Sequence, residues 1–434
     1  MNLPRVLIVG QTFNNKTGGG ITQSNLFSGW DPDKLAVACT AHLIKDSNPD
    51  ICNNYYQLGQ KEHTWIFPFS LLHRKFSSGP MKFEQNQFIK PTLVEHKKFR
   101  SKLVDNFFYP FLEFSGLIHR ISRIKLSPDF CNWVKDFNPD VIYAQGQDRE
   151  RILFSLQLHT FLKKPLIYHF MDDWPSTISE KGILKNFWFK KIDKDLKMLL
   201  DRATILMSIS DWMAAEYKIR YNKNFITFQN PVNIDFWGKY QKINYELNPS
   251  PYILYAGRIG LGIQSSLEIV AKAVEIINKE INTSIKFVLQ TPEIPEWVSN
   301  YTCVEHNGLL PYSELPGKFS DADILLIPYD FSPESIKYIQ YSMPTKAPEY
   351  MISGTPILIF APEMTALVKY AQKNEWAKIV TKDDIPDLCI AIKDLILNKC
   401  VRERIGRNAK KIAKEMHDSN IISYNFQKLI CSIV

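Results

Sequence analysis

The stretch SMPTKAPEYMISGTPILIF, residues 342–360, packs a helix and the strand after it into nineteen positions. Pro344 and Thr345 read as the opening of the helix, with Ser342 or Thr345 placed to cap it. Gly354 ends the helix. Beyond Pro356 the run is wholly apolar, the pattern of a strand buried on both faces of a parallel sheet. Free N–H groups at a helix start attract phosphate, and Lys346 adds a point charge in that first turn. Glu349 lies one turn on, on the same side as Lys346, where a carboxylate accepts hydrogen bonds from sugar hydroxyls. An ordinary capped helix with an i,i+3 Lys–Glu pair has the same sequence.

Outward from this stretch the alternation continues. Upstream come YILYAG (252–257), a long helix over about 264–279, SIKFVLQ (284–290) and ADILLIPY (322–329); downstream come AKIV (377–380) and a basic helix over about 401–417. Arg258 follows the first of these strands directly, at a carboxyl end where ligands of open α/β sheets sit, and Gly257 removes bulk beside it. A surface Arg paired with an acid reads the same way. Gly308 falls at a strand end, and Asp321 and Asp323 read as loop and cap residues rather than metal ligands. Residues 229–252, rich in Asn and Pro, read as a linker.

Before the linker lies a second series: RVLIVG (5–10), KLAVACTA (34–41), DVIYAQG (140–146), PLIYHFM (165–171) and ATILMSIS (203–210), with helices between them such as that from Ser210 to Tyr221. Gly18, Gly19 and Gly20 precede a helix expected from Thr22. Buried strands alternating with helices define a doubly wound α/β domain. The expected fold class is therefore α/β, two Rossmann-like domains facing each other across a cleft. The first spans 1–235 with a basic-aromatic insertion at about 51–125, the second spans 250–415, and 416–434 is expected to cross back to the first. The three glycines match GxGxxG poorly, and no acidic ribose ligand follows a second strand, which argues against dinucleotide binding.

The chain has 434 residues, 45% hydrophobic and 23% charged, the mix of a folded globular protein. Seven Cys without a CxxC pair give neither a zinc module nor a disulfide framework. The N-terminus enters a strand at once and lacks the order of a signal peptide. No apolar run approaches the length of a membrane span, so the expected location is cytoplasmic. Net charge is +8, yet residues 1–250 hold 33 basic and 24 acidic residues, and 51–125 alone hold 12 and 5. A local basic-aromatic block points to an anionic partner. In its segment 96–125, Leu103, Phe107, Phe108, Phe111 and Leu112 fall near helical spacing, with basic residues at both ends and Pro110 as an interruption. The segment reads either as an element lying on an anionic membrane or as core helices with a solvated face. The helix at 184–200 reads as basic, amphipathic and solvated.

The order ILYAGR, VEHNGLLPYSEL, FSDADILLIPY, PTKAPEYMISGTPILIF resembles the donor half of GT-B glycosyltransferases, in particular their large family-4-like group (glycosyl transferases group 1). HFMDDW (169–174), SISDWM (208–213) and FQNPVNIDFW (228–237) fit its first half; only about 45–135 has no counterpart. The resemblance implies that Arg258 holds a donor diphosphate, that the amides around Thr345 and Lys346 cradle it, and that Glu349 binds the nucleotide ribose. Backbone near Gly308 and Leu310 receives the base, with Ser342 part of the same donor-binding stretch. Gly18 to Gly20 let the first loop approach donor and acceptor, His169 contacts the donor sugar, and Asp172 or Asp173 orients the acceptor hydroxyl or takes its proton. His169 on an apolar strand also reads as a core histidine, and Asp173 as a cap beside a core Trp174. The chain departs from the pattern in having no Lys shortly after Arg258 and in carrying Tyr341 where the first acid of Glu-x7-Glu would fall; Glu334 or Asp330 could reach in from the preceding loop.

The implied function is transfer of a sugar from a nucleotide-diphosphate sugar to a saccharide or lipid-linked saccharide, with retention, in cell-surface polysaccharide synthesis. The nucleotide sugar is the donor substrate; no cofactor and no metal are expected, because basic groups and helix dipoles offset the diphosphate charge. The partners expected are that donor, the acceptor and an anionic membrane surface on the inner face, with no nucleic acid. Two other readings share the fold: a non-catalytic binding subunit, and a nucleotide-sugar epimerase or hydrolase.

Overall fold

The computed structural model describes residues 2–44, 47–82, 104–178, 182–260 and 262–434. In chain order its strands are β1 (Val6–Val9), β2 (Leu35–Thr40), β3 (Asn54–Leu58), β4 (His63–Trp65), β5 (Gly79–Lys82), β6 (Ser122–Ile124), β7 (Val141–Ala144), β8 (Leu166–Phe170), β9 (Ile205–Ser208) and β10 (Ile226–Thr227). Then come β11 (Tyr252–Ala256), β12 (Lys286–Gln290), β13 (Val304–Asn307), β14 (Ile324–Pro328), β15 (Ile357–Phe360) and β16 (Lys378–Val380). The chain forms two compact units, one of residues to Phe228 together with Ser423–Val434, the other of Gln229–Ile422.

The first unit carries an eight-stranded sheet of order β10-β9-β8-β7-β1-β2-β3-β5, parallel except for the antiparallel β5. Helices cover both faces, which is why Val6–Ile8 and Val141–Tyr143 are wholly buried and read as unbroken apolar runs. Phe426 packs edge-on against Phe27, Tyr143 and Phe228 in the same unit. A small antiparallel pair, β4 with β6, stands apart from the main sheet. Trp65, Leu112 and Ile121 form its own apolar cluster, flanked by Phe69, Phe108 and Tyr109.

The second unit carries a six-stranded parallel sheet of order β13-β12-β11-β14-β15-β16. In both sheets the strand order reverses beside the first strand, at β1/β7 and at β11/β14. Ligands of doubly wound folds bind at the carboxyl ends of such strands.

Four local expectations need correction. The helix expected from Thr22 starts at Gly18: Thr17 is its N-cap, taking the Gly20 amide at 3.2 Å, so the three glycines form its first turn. Gly20 is required there because a Cβ would come within 2.1 Å of the Asn14 side chain. Pro110 does not interrupt a helix. It lies in the first turn of the helix Tyr109–Ser115, where a missing N–H costs nothing, and a π-helical turn Val104–Phe108 leads into it. Leu103 and the rest of 83–103 lie outside the described residues.

Residues 229–252 are not a free linker. They hold the helix Ile234–Gly238 with a buried Trp237, and they are fastened to the second unit by Lys242, whose Nζ donates to the carbonyls of Ser320 (3.2 Å) and Ala322 (2.8 Å). Arg402 fastens the same stretch by donating to the carbonyl of Tyr245. Finally, neither Ser342 nor Thr345 caps the helix that follows: it runs Lys346–Ser353 with no side-chain capping bond, and Ser342 Oγ donates back to the Tyr338 carbonyl.

Candidate active site

In the second unit the carboxyl end of β11 and the start of the helix Lys346–Ser353 meet. Lys346 Nζ donates to the Ala256 carbonyl at 2.8 Å and lies 4.0 Å above the Tyr255 ring. Gly257 takes φ +145, and a Cβ there would stand 2.5 Å from Lys346 Nζ, so only glycine lets the ammonium lie across the strand end. Tyr350 donates to the Ala256 carbonyl side and accepts the Ala256 amide, fixing the same strand end. Glu349 is buried, and its Oε1 accepts from the Tyr312 hydroxyl at 3.1 Å. Tyr312 in turn stacks on Phe236 and meets Trp237 edge-on.

Burial draws the Lys346 ammonium down to about 7, against the pull of Glu349. Burial likewise pushes the Glu349 carboxyl up to about 7, against Tyr312 and Lys346. Each charge is thus held next to the other with too few polar partners, the condition of a site built around an ionic ligand. Arg258 is exposed, and its side chain makes no ion pair among the described residues; Tyr255 holds its carbonyl at 2.6 Å. Beside it opens a cavity of about 580 Å³ lined by Ile259, Gln264, Glu268, Glu293 and Trp297. The Thr345 carbonyl accepts from Asn230, 2.9 Å away. Gly308, exposed after β13, takes a hydrogen bond from Gln290 on its carbonyl, and Leu310 is half-buried beyond it.

Of the other acids near this unit's strand ends, Asp330 is already committed, accepting the Ser266 amide at 2.8 Å. Glu334 lies in the first turn of the helix Pro333–Ile339, and Tyr341 is half-buried. Asp323 holds the amides of Asn248 and Tyr252, and Asp321 the Tyr252 hydroxyl. Among the described residues no group of three or more His, Cys, Asp or Glu could hold a metal ion.

In the first unit, His169 on β8 is 1% exposed, with Nδ1 2.6 Å from the Tyr143 hydroxyl and the backbone of Ser208 and Phe228 beside the ring. Burial lowers its pKa to about 3, so the ring is neutral. Asp173 is equally buried and fully engaged: Tyr217 (2.7 Å), Arg220 (2.9 Å) and Ser176 (2.6 Å) all donate to it. It makes no capping bond, and Trp174 beside it is buried, stacked on Phe170. Asp172 is half-buried just after β8. Gly18 is exposed, Gly19 half-buried and Gly20 buried at the carboxyl side of β1.

Comparison with solved structures decides the fold. Sucrose-phosphate synthase from Thermosynechococcus elongatus superposes with a TM-score of 0.61 at 12% identity over 98% of each chain. Anabaena HepE, determined in complex with UDP and glucose, gives 0.58 at 13% over 99% of this chain and 100% of that one. WaaG, a glycosyltransferase involved in lipopolysaccharide biosynthesis, gives 0.56 at 13% over 98% and 99%.

The fold is GT-B.

No family model and no curated protein matches the sequence. Within this GT-B chain the motif stretches contain Gly257 and Lys346, which lie side by side, and Glu349 one turn from Lys346, while Arg258 follows Gly257 with its side chain exposed. The motif reading missed Tyr312 and Tyr255, the aromatic partners that hold Glu349 and Lys346. Tyr312 stands within the quoted VEHNGLLPYSEL, but nothing in its spacing joins it to an acid 37 residues away.

Proposed function

We propose that the protein is a glycosyltransferase that takes a sugar from a nucleotide-diphosphate sugar. The observation that carries the reading is the Gly257–Lys346–Glu349 cluster at the strand-order reversal of the second sheet. Lys346 and the exposed Arg258 offer cationic groups for a diphosphate, and Glu349 offers a carboxylate for the ribose hydroxyls. Charge that develops on the leaving diphosphate would meet preorganised cations there, with no metal required. The solved neighbours titled with UDP or UDP-glucose support a nucleotide sugar as donor.

For the acceptor side we keep Asp172 or Asp173, of which Asp173 is held by Tyr217, Arg220 and Ser176. The resemblance favours a hexosyl or related sugar, retention at the anomeric carbon and a saccharide acceptor in cell-surface polysaccharide synthesis. A lipid-linked acceptor is supported by a patch of exposed rings in the first unit. Phe67, Phe107, Phe111, Phe114, Phe187 and Phe189 are all exposed. Neighbouring segments touch: Phe69 stacks on Phe108, and Gly182 abuts the Phe114 carbonyl. The helix Lys185–Arg202 adds Lys185, Lys190, Lys191 and Lys194 beside them. Rings flanked by lysines fit an anionic lipid surface, a peripheral association. Among the described residues no helix is long and apolar enough to cross a membrane.

The test is product analysis with UDP-, GDP-, ADP- and CMP-sugars. Wild type should release or transfer the sugar of one of them, and Arg258→Ala and Glu349→Ala should each lower that rate at least tenfold. No turnover and no binding of any nucleotide by wild type would sink the reading in favour of a binding subunit. Sedimentation with vesicles rich in anionic lipid at low salt checks the surface; protein left in the supernatant removes it.

A further inference from the structure

The first unit holds a cavity that the donor chemistry does not use. It measures about 230 Å³, the room of roughly seven or eight waters and hence the scale of one sugar ring. It is built where the β4–β6 pair meets the start of the helix Arg149–Leu162, just past the carboxyl end of β7. Trp65, Tyr109 and Ile118 supply apolar walls; His63, His73 and Glu150 supply polar ones.

The charges lining it are mostly spoken for. Arg149 Nε pairs with Asp195 at 2.6 Å, and its Nη1 donates to the His119 carbonyl at 2.8 Å. Asp148 caps the helix through the Arg151 amide and pairs with the Arg151 guanidinium at 2.7 Å. Glu150 takes the Ser122 hydroxyl on Oε2, with His63 Nε2 3.4 Å away, while Oε1 makes no hydrogen bond among the described residues. Burial alone would raise the Glu150 carboxyl, but His63, Ser122 and Arg151 hold it down to about 2, so it is an acceptor at neutral pH. The His73 ring lies 4.8 Å from the His63 ring and 4.9 Å from Trp65, and neither of its nitrogens has a hydrogen-bond partner among the described residues. Burial, then His63, lowers its pKa to about 4, so it too is uncharged near pH 7.

An anionic ligand would find no uncommitted arginine here. A metal ion would find no group of three ligands among the described residues. What remains is an aromatic wall, a carboxylate oxygen and a neutral imidazole, which together suit a neutral polyol: C–H faces against Trp65 and Tyr109, hydroxyls to Glu150 Oε1 and His73. We propose that this cavity is a subsite for one sugar ring of the acceptor, an assignment that rests on the transferase reading for the word acceptor but not for the binding itself. Phe108, 6.4 Å from Trp65, joins the cavity wall to the exposed aromatic patch, so a lipid-borne sugar could reach the pocket while its lipid stays at the surface.

The test uses full-length protein and saturation-transfer NMR with methyl glycosides of glucose, galactose, mannose, N-acetylglucosamine and rhamnose. At least one should bind wild type, and His73→Ala and Glu150→Gln should each weaken it fivefold or more while nucleotide-sugar binding stays as it was. Trp65→Ala is a third variant, judged only if it melts like wild type. No glycoside bound by wild type, or binding unchanged in both His73→Ala and Glu150→Gln, overturns the proposal; so does Zn²⁺ binding lost in His73→Ala without any glycoside binding. Glycoside binding with no nucleotide bound would leave the subsite standing and remove the transferase reading, which keeps the two failures apart.

Discussion

The two units handle a buried acid–base pair in opposite ways. In the first, Asp173 accepts from Tyr217, Ser176 and Arg220, and Arg220 also reaches Glu216, so every charge has its partners. Such a pair holds structure together and is costly to break on one side. In the second, Lys346 has a carbonyl and a ring, Glu349 has one tyrosine, and burial pushes both toward neutrality. A satisfied pair belongs to the fold. A pair left short of partners is where a ligand completes the site.

The contrast can be broken from the structural side first. Asp173→Ala strands Arg220 and Tyr217 and should cost about 3 kcal/mol in urea unfolding; a loss below about 0.5 kcal/mol would mean that the pair is not structural. Gly257→Ala should lower sugar transfer about 100-fold, roughly 2.7 kcal/mol of transition-state stabilisation. The cause is steric: the new Cβ at φ +145 meets Lys346 Nζ. Full activity in that variant would remove Lys346 from the site.

Glu349→Gln sharpens the comparison with a smaller effect. A carboxyl raised from its ordinary 4.5 to about 7 favours the folded state only while protonated, and that advantage is lost as pH rises from 4.5 through 7. The variant should therefore be more stable than wild type at pH 8 and no more stable at pH 4, judged by thermal melts without ligand. It should also bind nucleotide more weakly. Stabilisation that does not vary with pH would show that Glu349 is not strained by burial.

The fold was legible because β1, β7, β11, β14 and β15 are buried on both faces and so have unbroken apolar sequences. Lys346 and Glu349 were legible because i,i+3 neighbours on a helix must meet. β3, with Asn54 and Gln57, lacks that apolar signature and was not found; β13, VEHN, lacks it too and showed only as the strand end before Gly308. Asp173 could not be told from a catalytic acid, since its partner Arg220 lies 47 residues away. The sugar-sized cavity was hidden for the same reason: short polar strands at 63–65 and 122–124 meet a helix start at 149, and no local pattern announces it.

The account turns on Lys346 being an amine kept short of partners, and near neutrality, until a diphosphate arrives. Calorimetric titration with UDP, GDP, ADP and CDP at pH 8, in two buffers of different ionisation enthalpy, tests it directly. An ammonium whose pKa lies near 7 should gain a proton as the diphosphate binds. The expected result is one nucleotide bound with uptake of a fraction of a proton by wild type, and both uptake and most of the affinity lost in Lys346→Met. Equal affinity and equal proton uptake in Lys346→Met, or no nucleotide bound by wild type, would contradict it.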